Sequence, residues 1–211
     1  WRNRGYAAFD DFLGELASRK RKAIKRERRA IAEQGIAVHC LAGAELDQRH
    51  WDAFFNFYQD TGGRKWGSPY LNRDFFRRLH AAMPGSIVMM LAEREGRFIA
   101  GALNLRSEDT LYSRYWGCVE QRPFLHFECC YYQAIDYAIR HRLARVEAGA
   151  QGAHQLARGY EPVATYSAHW IADTGFRRAV GDYLAHERRA VAEGLAGLAE
   201  HAPFRKDIET D

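Results

Sequence analysis

Apolar positions along the chain separate extended stretches from helical ones. The clearest extended pattern comprises Ser86–Ala92 and Phe98–Leu105, which are apolar nearly throughout, and Leu111–Trp116, which follows another turn. Glu95-Gly96 lies between the first two stretches, and such a pair suits a tight hairpin turn. The pattern therefore predicts a three-stranded antiparallel meander.

Apolar residues at helical spacing predict helices on both sides of this meander. The expected helices are one that Asp10 or Asp11 caps, its continuation from Ser18 to Ala32, Glu45–Thr61, Asn72–Ala82, Pro123–His141 and Phe176–Leu198. Three further short strands are expected at Ile36–Leu41, Arg145–Ala148 and Val163–Trp170. Strands and helices in this order predict an α/β fold with a mixed sheet.

Positive charge is concentrated at the start of the chain. The 211 residues are 47% hydrophobic and 27% charged, which is typical of globular proteins. The net charge is +4, yet residues 1–35 alone hold ten Lys or Arg against five Asp or Glu. A nucleic acid, an anionic substrate or another phosphate-bearing partner would therefore bind along Arg19–Arg29, although a solvated helix face explains the same charges.

The cysteine pattern predicts reduced thiols and no metal site. The four cysteines follow no CxxC spacing, and His126-Phe-Glu128 has no downstream partner motif of a zinc deaminase. The longest apolar run, Ile87–Ala92, is too short to span a membrane. We therefore expect a cytoplasmic protein. Because the sequence begins at Trp1 and not at a methionine, we also expect a fragment of a longer protein.

Several strings are more specific than this general pattern. They are Trp1-Arg-Asn-Arg-Gly-Tyr6, Phe9-Asp-Asp-Phe12, Ser18-Arg-Lys-Arg-Lys22, Tyr112-Ser-Arg-Tyr-Trp-Gly-Cys118, Leu125-His-Phe-Glu128, Glu147-Ala-Gly-Ala-Gln-Gly152, Ala157-Arg-Gly-Tyr160 and Thr165-Tyr-Ser-Ala-His-Trp170. Together they resemble the FemAB-like family of N-acyltransferases in the GNAT superfamily, also described as peptidoglycan biosynthesis or recognition proteins. The resemblance extends over nearly the whole chain. It implies that the chain is the C-terminal half of a longer protein with two GNAT-like domains, and that tRNA phosphates are partners of the basic helix Arg19–Arg29.

The resemblance implies a GNAT-like fold, with a central, mostly antiparallel, splayed sheet flanked by helices. We expect residues 1–35 to form a basic helical segment packed on an acyltransferase domain of residues 36–211. An acyl-CoA or an aminoacyl-tRNA would be the donor, and a small molecule or cell-wall precursor the acceptor. The chain departs from the family at Gly152-Ala-His-Gln155, where relatives carry a lysine. It also lacks the glycine-rich CoA loop at Gly117–His126.

Strand alternation places Tyr112, Arg114 and Trp116 on one face of the third meander strand. Such a face suits a pocket wall, in which Tyr112 is an acid, Arg114 binds an anion and Trp116 stacks on substrate. The alternative is an edge strand whose arginine forms an ion pair.

Four other residues are candidates for acid–base catalysis or substrate binding. His126 and Glu128 lie in the first turn of a predicted helix, where the helix dipole acts on both. Glu147 ends a short strand before a glycine loop and is our preferred general base, with His126 and His154 as alternatives. For each of them a structural role, such as a dipole partner or a hydrogen-bonded core histidine, remains open.

The remaining predicted substrate-binding residues are polar side chains in the second half of the chain: Gln151, Arg158, Ser167 and His169. Arg158 suits a phosphate or carboxylate, and Ser167 and His169 alternate with Thr165 on a polar strand face. Two other functions remain open at this point. One is a catalytically silent binding module for an amino-acylated or cell-wall-like ligand, and the other is an RNA-binding protein that uses the basic helix.

Overall fold

The computed structural model describes residues 1–64, 69–149, 154–199 and 202–205. Its five strands are β1 (Ile36–Ala42), β2 (Ile87–Arg94), β3 (Arg97–Arg106), β4 (Thr110–Cys118) and β5 (Arg145–Glu147). Its α-helices are α1 (Phe9–Glu15), α2 (Ser18–Glu33), α3 (Gln48–Arg64), α4 (Arg73–Ala82), α5 (Leu125–Phe127), α6 (Gln133–Arg140) and α7 (Thr174–Ala199). A π turn, Glu128–Tyr132, joins α5 to α6. Short 3-10 turns span Gly43–Glu45, Pro84–Ser86 and Leu156–Arg158.

The five strands form one sheet in the order β1-β2-β3-β4-β5. The first four are antiparallel neighbours, whereas β5 pairs with β4 in parallel, and only over Thr110–Tyr112. Past Tyr112 the two strands pair no further in the described part of the chain, so the sheet opens along this edge of β4. The predicted mixed, mostly antiparallel, splayed sheet is confirmed.

The turn between β2 and β3 is the expected tight hairpin. Glu95 and Gly96 have φ angles of 52° and 73°. Positive φ at both central residues defines the turn type whose twist matches that of the flanking strands. The prediction from this dipeptide is confirmed.

Both faces of β2 are buried, each in a different core. Val88 and Met90 pack in a core with α1, α2 and α6, which we call core A. Met89 and Leu91 pack in a second core with α3 and α4, which we call core B. A strand covered by helices on both faces has no solvent side, so its sequence is apolar without alternation.

The first helix begins earlier than the sequence predicted. Ala8, and not Asp10 or Asp11, precedes the first helical residue. The carboxylate of Asp11 lies inside the first turn and accepts from the backbone N–H groups of Ala7 and Ala8, at 3.0 and 2.9 Å. It therefore stabilises the start of the helix from its third position, the acidic half of a capping box. The predicted restart at Ser18 is confirmed.

Two predicted elements are different in the structure. The single helix expected from Pro123 is divided into α5, the π turn and α6. The strand expected at Val163–Trp170 is wrong, because residues 163–170 form no regular secondary structure and are exposed. The polar-apolar alternation is present there, yet no described strand lies alongside to supply backbone hydrogen bonds.

No helix in the described ranges combines the length and the apolar character that a membrane crossing requires.

Candidate active site

A β-bulge in β4 determines which side chains face the candidate site. Leu103 of β3 lies opposite Tyr115 and Asn104 lies opposite Ser113, so Arg114 is an additional residue without a partner in the register. An extra residue reverses the alternation beyond it. The predicted common face of Tyr112, Arg114 and Trp116 is therefore wrong.

The two aromatic residues of that prediction lie on opposite faces of the sheet. Tyr112 is opposite Leu105, which packs on core B, whereas Trp116 is opposite Ala102 of core A. Directly opposed residues share a face of a sheet. Arg114 at the bulge is exposed, with its guanidinium carbon 4.6 Å from the centre of the Tyr115 ring.

Four aromatic side chains gather beside the open edge of β4, and we call them the histidine cluster: Trp116, His126, Tyr131 and His154. The ring of His126 lies 5.2 Å from Trp116, 5.3 Å from Tyr131 and 6.1 Å from His154, centre to centre. The hydroxyl of Tyr131 is 2.9 Å from Nε2 of His154. Two histidines and a tyrosine within this distance can bind and transfer protons.

The hydroxyl of Tyr131 keeps its proton at neutral pH. Burial raises the pKa of Tyr131 to about 12. A neutral hydroxyl can donate to Nε2 of an unprotonated His154, and it can accept when that nitrogen carries a proton. Tyr131 therefore stays bonded to His154 in either protonation state.

A buried ion pair between Arg158 and Glu27 holds the backbone of His154 in place. The guanidinium of Arg158 donates to Glu27 and to the hydroxyl of Tyr132, each at 2.8 Å, and to the backbone carbonyl of His154 at 2.9 Å. It also lies 3.4 Å from the centre of the Phe127 ring. Arg158, predicted to bind substrate, is thus engaged with groups of the chain itself.

Glu128 faces the basic helix α2. Its Oε1 accepts from Arg28 at 3.1 Å and from Gln133 at 2.8 Å. Its Oε2 is buried and accepts no hydrogen bond from the described residues. The arrangement ties the π turn to α2.

The other predicted site residues lie apart from the histidine cluster. Glu147 is the partner of Tyr112 across the β4–β5 pair, and both are exposed. Ser167 and His169 are exposed and contact each other, with His169 Nε2 2.9 Å from the serine oxygen. Gln151 lies outside the described residues. The structure thus brings together His126, His154 and Trp116 and leaves the exposed candidates elsewhere.

A cavity of about 540 Å³ opens next to the histidine cluster. Trp116 and His126 line one side of it, and Arg64 and Arg122 line another. Both cations already have partners, because Arg64 pairs with Asp60 and Arg122 pairs with Glu120, at 2.5 and 2.8 Å. The cavity therefore offers space beside two histidines but little uncompensated positive charge.

Sequence reasoning missed Tyr131 as a site residue and Glu27 as the buried partner of Arg158. Glu27 follows Ile24 by three residues and precedes Ile31 by four, and all three are buried. This spacing places a carboxylate on the apolar face of a helix, where it requires a buried partner. That signal was available in the sequence, whereas nothing local identified Arg158 as the partner.

Among the described residues, no group of three or more His, Cys, Asp or Glu side chains is arranged to hold a metal ion.

Comparison with known families gives one match, which covers nearly the whole chain. Residues 1–206 match the FemAB-like family model, described as peptidoglycan biosynthesis/recognition. A comparison with curated protein sequences gives no match.

Several solved structures are similar to the chain at low sequence identity. FemX has a TM-score of 0.49 and 15% identity over 64% of this chain and 48% of FemX. The aminoglycoside acetyltransferase meta-AAC0020 from an uncultured soil metagenomic sample, in complex with sisomicin, has a TM-score of 0.46 and 15% identity over 68% of this chain and 98% of that one. L-PGS from Bacillus licheniformis has a TM-score of 0.44 and 10% identity over 69% of this chain and 48% of L-PGS. The chain thus spans about half the length of FemX and of L-PGS.

Proposed function

The chain belongs to the FemAB-like family, and from this premise we propose that it is an N-acyltransferase that moves an acyl or aminoacyl group to an amine. The observation that carries the proposal is the contact between Tyr131 and His154 beside His126, at the open edge of β4. The cavity next to this group leaves room for a substrate. Acyl transfer to an amine needs a base, donors for the carbonyl oxygen and oriented substrates. We assign the base to this group of side chains.

In the proposed reaction the amine nitrogen attacks the acyl carbonyl carbon. A C–N bond forms, the bond to the donor's sulfur or oxygen breaks, and the leaving group takes a proton. His154, which Tyr131 and Arg158 hold in place, accepts the proton from the amine. Backbone N–H groups of β4 past Tyr112, where β5 pairs no further in the described part of the chain, donate to the carbonyl oxygen in this proposal.

We propose an aminoacyl-tRNA as the donor and a peptidoglycan precursor as the acceptor. Three features support this choice over acyl-CoA. The stretch from Val119 to Phe124 contains no glycine for a pyrophosphate cradle, the arginines of the cavity are paired with carboxylates, and α2 presents an exposed basic face. Both proposed substrates are made in the cytoplasm, and we place the reaction there.

The His154→Gln variant tests the proposed base. Glutamine keeps a polar contact with Tyr131 but cannot accept the proton, so we expect turnover to fall about a hundredfold with little change in thermal stability. The assay follows transfer of a labelled group from aminoacyl-tRNA, or from acetyl-CoA, to a peptidoglycan precursor.

Two controls accompany that measurement. His126→Gln removes the neighbouring histidine, and Glu147→Gln removes the exposed carboxylate that the sequence favoured as base. Absence of transfer from either donor by the unmodified chain would refute the acyltransferase proposal. If Glu147→Gln abolishes turnover and both histidine variants remain active, the base is Glu147 and the assignment to His154 is wrong.

The exposed basic face of α2 has its own test. In the Lys22→Gln/Arg26→Gln variant we expect tRNA affinity to fall severalfold and its dependence on salt to become shallower, because two phosphate contacts are lost. Filter binding at several salt concentrations measures both quantities. The matched control, Arg77→Gln/Arg78→Gln, removes two exposed charges from α4. An equal loss of affinity in the control would show that the contact is not specific to α2.

A further inference from the structure

The segment 161–199, which we call the arm, leaves the body of the protein and returns to nearly the same point. At its start, Glu161 accepts from the guanidinium of Arg4 at 2.9 Å. After its end, the ring of Phe204 lies 4.4 Å below the same guanidinium. The backbone N–H of Ala17 also donates to the carbonyl of Pro203 at 2.9 Å. Residues at the start of the arm and just after its end therefore contact the same N-terminal segment.

Most of the arm is the helix α7, and none of its 26 residues is buried. At 1.5 Å per residue it is about 39 Å long. Large apolar side chains on it stand in solvent: Phe176 is 61%, Tyr183 63% and Val191 49% exposed, while Val180, Leu184 and Leu195 are half-buried. A helix in a folded protein takes most of its stability from packing one face, and a large exposed apolar patch marks an interaction surface.

The sequence of α7 is nearly symmetric about the point between Glu187 and Arg188. Reading outward from that point as far as Ala179 and Ala196, six mirrored pairs are chemically matched: Ala185 with Ala190, Leu184 with Val191, Asp182 with Glu193, Gly181 with Gly194, Val180 with Leu195 and Ala179 with Ala196. The pairs His186 with Arg189 and Tyr183 with Ala192 are not matched in size. An amphipathic helix needs an apolar face but no such reversal. Two identical helices that run in opposite directions bring each residue of the contacting face against its counterpart across the centre.

We propose that α7 is a dimerisation helix, which packs antiparallel against α7 of a second copy of this chain about a two-fold axis between Glu187 and Arg188. Leu184 of one copy then meets Val191 of the other, and Val180 meets Leu195. At the centre, Glu187 of each copy faces Arg188 of the other. A parallel pair would instead place Glu187 against Glu187, so the charges select the antiparallel arrangement.

The interior glycines of α7 agree with this arrangement. Glycine weakens a helix interior, yet Gly181 and Gly194 stand at mirrored positions beside the apolar stripe. A methyl group added to either one would meet no atom within 4 Å, so the chain itself gives no reason for a glycine. A closely packed second helix does, because small residues let two backbones approach.

Charge reversal tests the proposal in the 211-residue chain. Sedimentation equilibrium is expected to show a dimer whose dissociation constant rises about tenfold or more in Glu187→Arg and in Arg188→Glu, because each change creates two like-charge contacts per dimer. The double variant Glu187→Arg/Arg188→Glu restores the dimer, since the pairs are only exchanged. Asp182→Arg, on the outer face of α7, is the matched control and leaves association unchanged.

Cysteine cross-linking tests the direction of the pair. Under mild oxidation, Val180→Cys/Leu195→Cys is expected to form a covalent dimer, whereas Val180→Cys alone forms none, as in the unmodified chain. A monomer at all concentrations, a dimer that ignores the charge reversals, or efficient cross-linking of Val180→Cys alone would each overturn the proposal.

Discussion

Replacing Arg158 with methionine is expected to lower the free energy of unfolding by about 3–5 kcal/mol, because the change leaves a buried carboxylate without its cation. The side chains of Arg158 and Glu27 are only 9% and 10% exposed, and their charged atoms are 2.8 Å apart. Tyr132 donates to the same carboxylate and accepts from the same arginine. The loss therefore affects three buried groups together.

Urea denaturation measures this effect, and a second variant shows its origin. In Arg158→Met/Glu27→Gln neither charge of this pair remains, and the glutamine oxygen still accepts from Tyr132. We expect the double variant to be more stable than Arg158→Met alone. The single variant Glu27→Gln completes the comparison. If the double variant loses as much free energy of unfolding as Arg158→Met and Glu27→Gln lose together, the destabilisation comes from lost packing and not from the unpaired charge.

Gly117→Ala is expected to lower the free energy of unfolding by about 3 kcal/mol, because a new methyl group has no space where β4 meets α3. A Cβ at this position would overlap the carbonyl group and the Cβ of Phe57. A helix backbone cannot move away as the end of a flexible side chain can. The variant would also displace the neighbours of Gly117 in the chain, Trp116 and Cys118, which both line the cavity.

Gly63→Ala is the matched control for that substitution. Gly63 lies in α3, and a Cβ there meets no atom within 4 Å. Since alanine favours a helix over glycine, this variant is expected to gain up to about 1 kcal/mol. Chemical denaturation of the two variants gives opposite signs if steric overlap is the cause. Equal and small effects in both would show that α3 can shift away from β4.

The sequence predicted the parts of the fold that depend on local patterns. The centre of the sheet was identified from the apolar stretches of β2 and β3 and from the Glu95-Gly96 turn. A strand that is buried on both faces requires apolar residues throughout, and positive φ favours glycine, so both features are visible in the sequence. The strand at Val163–Trp170 failed for the opposite reason. Alternation shows that a stretch is suited to be a strand, but pairing depends on a neighbour that the local sequence does not describe.

The candidate site was predictable only in part. His126, His154 and Trp116 were identified as polar or aromatic residues near predicted element ends, and the structure places them together. Tyr112 and Arg114 were grouped with Trp116 by strict alternation, which the bulge at Arg114 reverses. A bulge adds one residue without any required residue type here, so the sequence carries no mark of it.

The π turn Glu128–Tyr132 fixes the number of residues between two side-chain contacts. A π turn is an α-helix that carries one inserted residue, and all five residues of this one are buried. Glu128 at its beginning pairs with Arg28, and Tyr132 at its end pairs with Arg158. Deleting one residue between them would rotate one end by about 100° relative to the other. Both pairs cannot survive that rotation, so a deletion within this turn would break at least one of them.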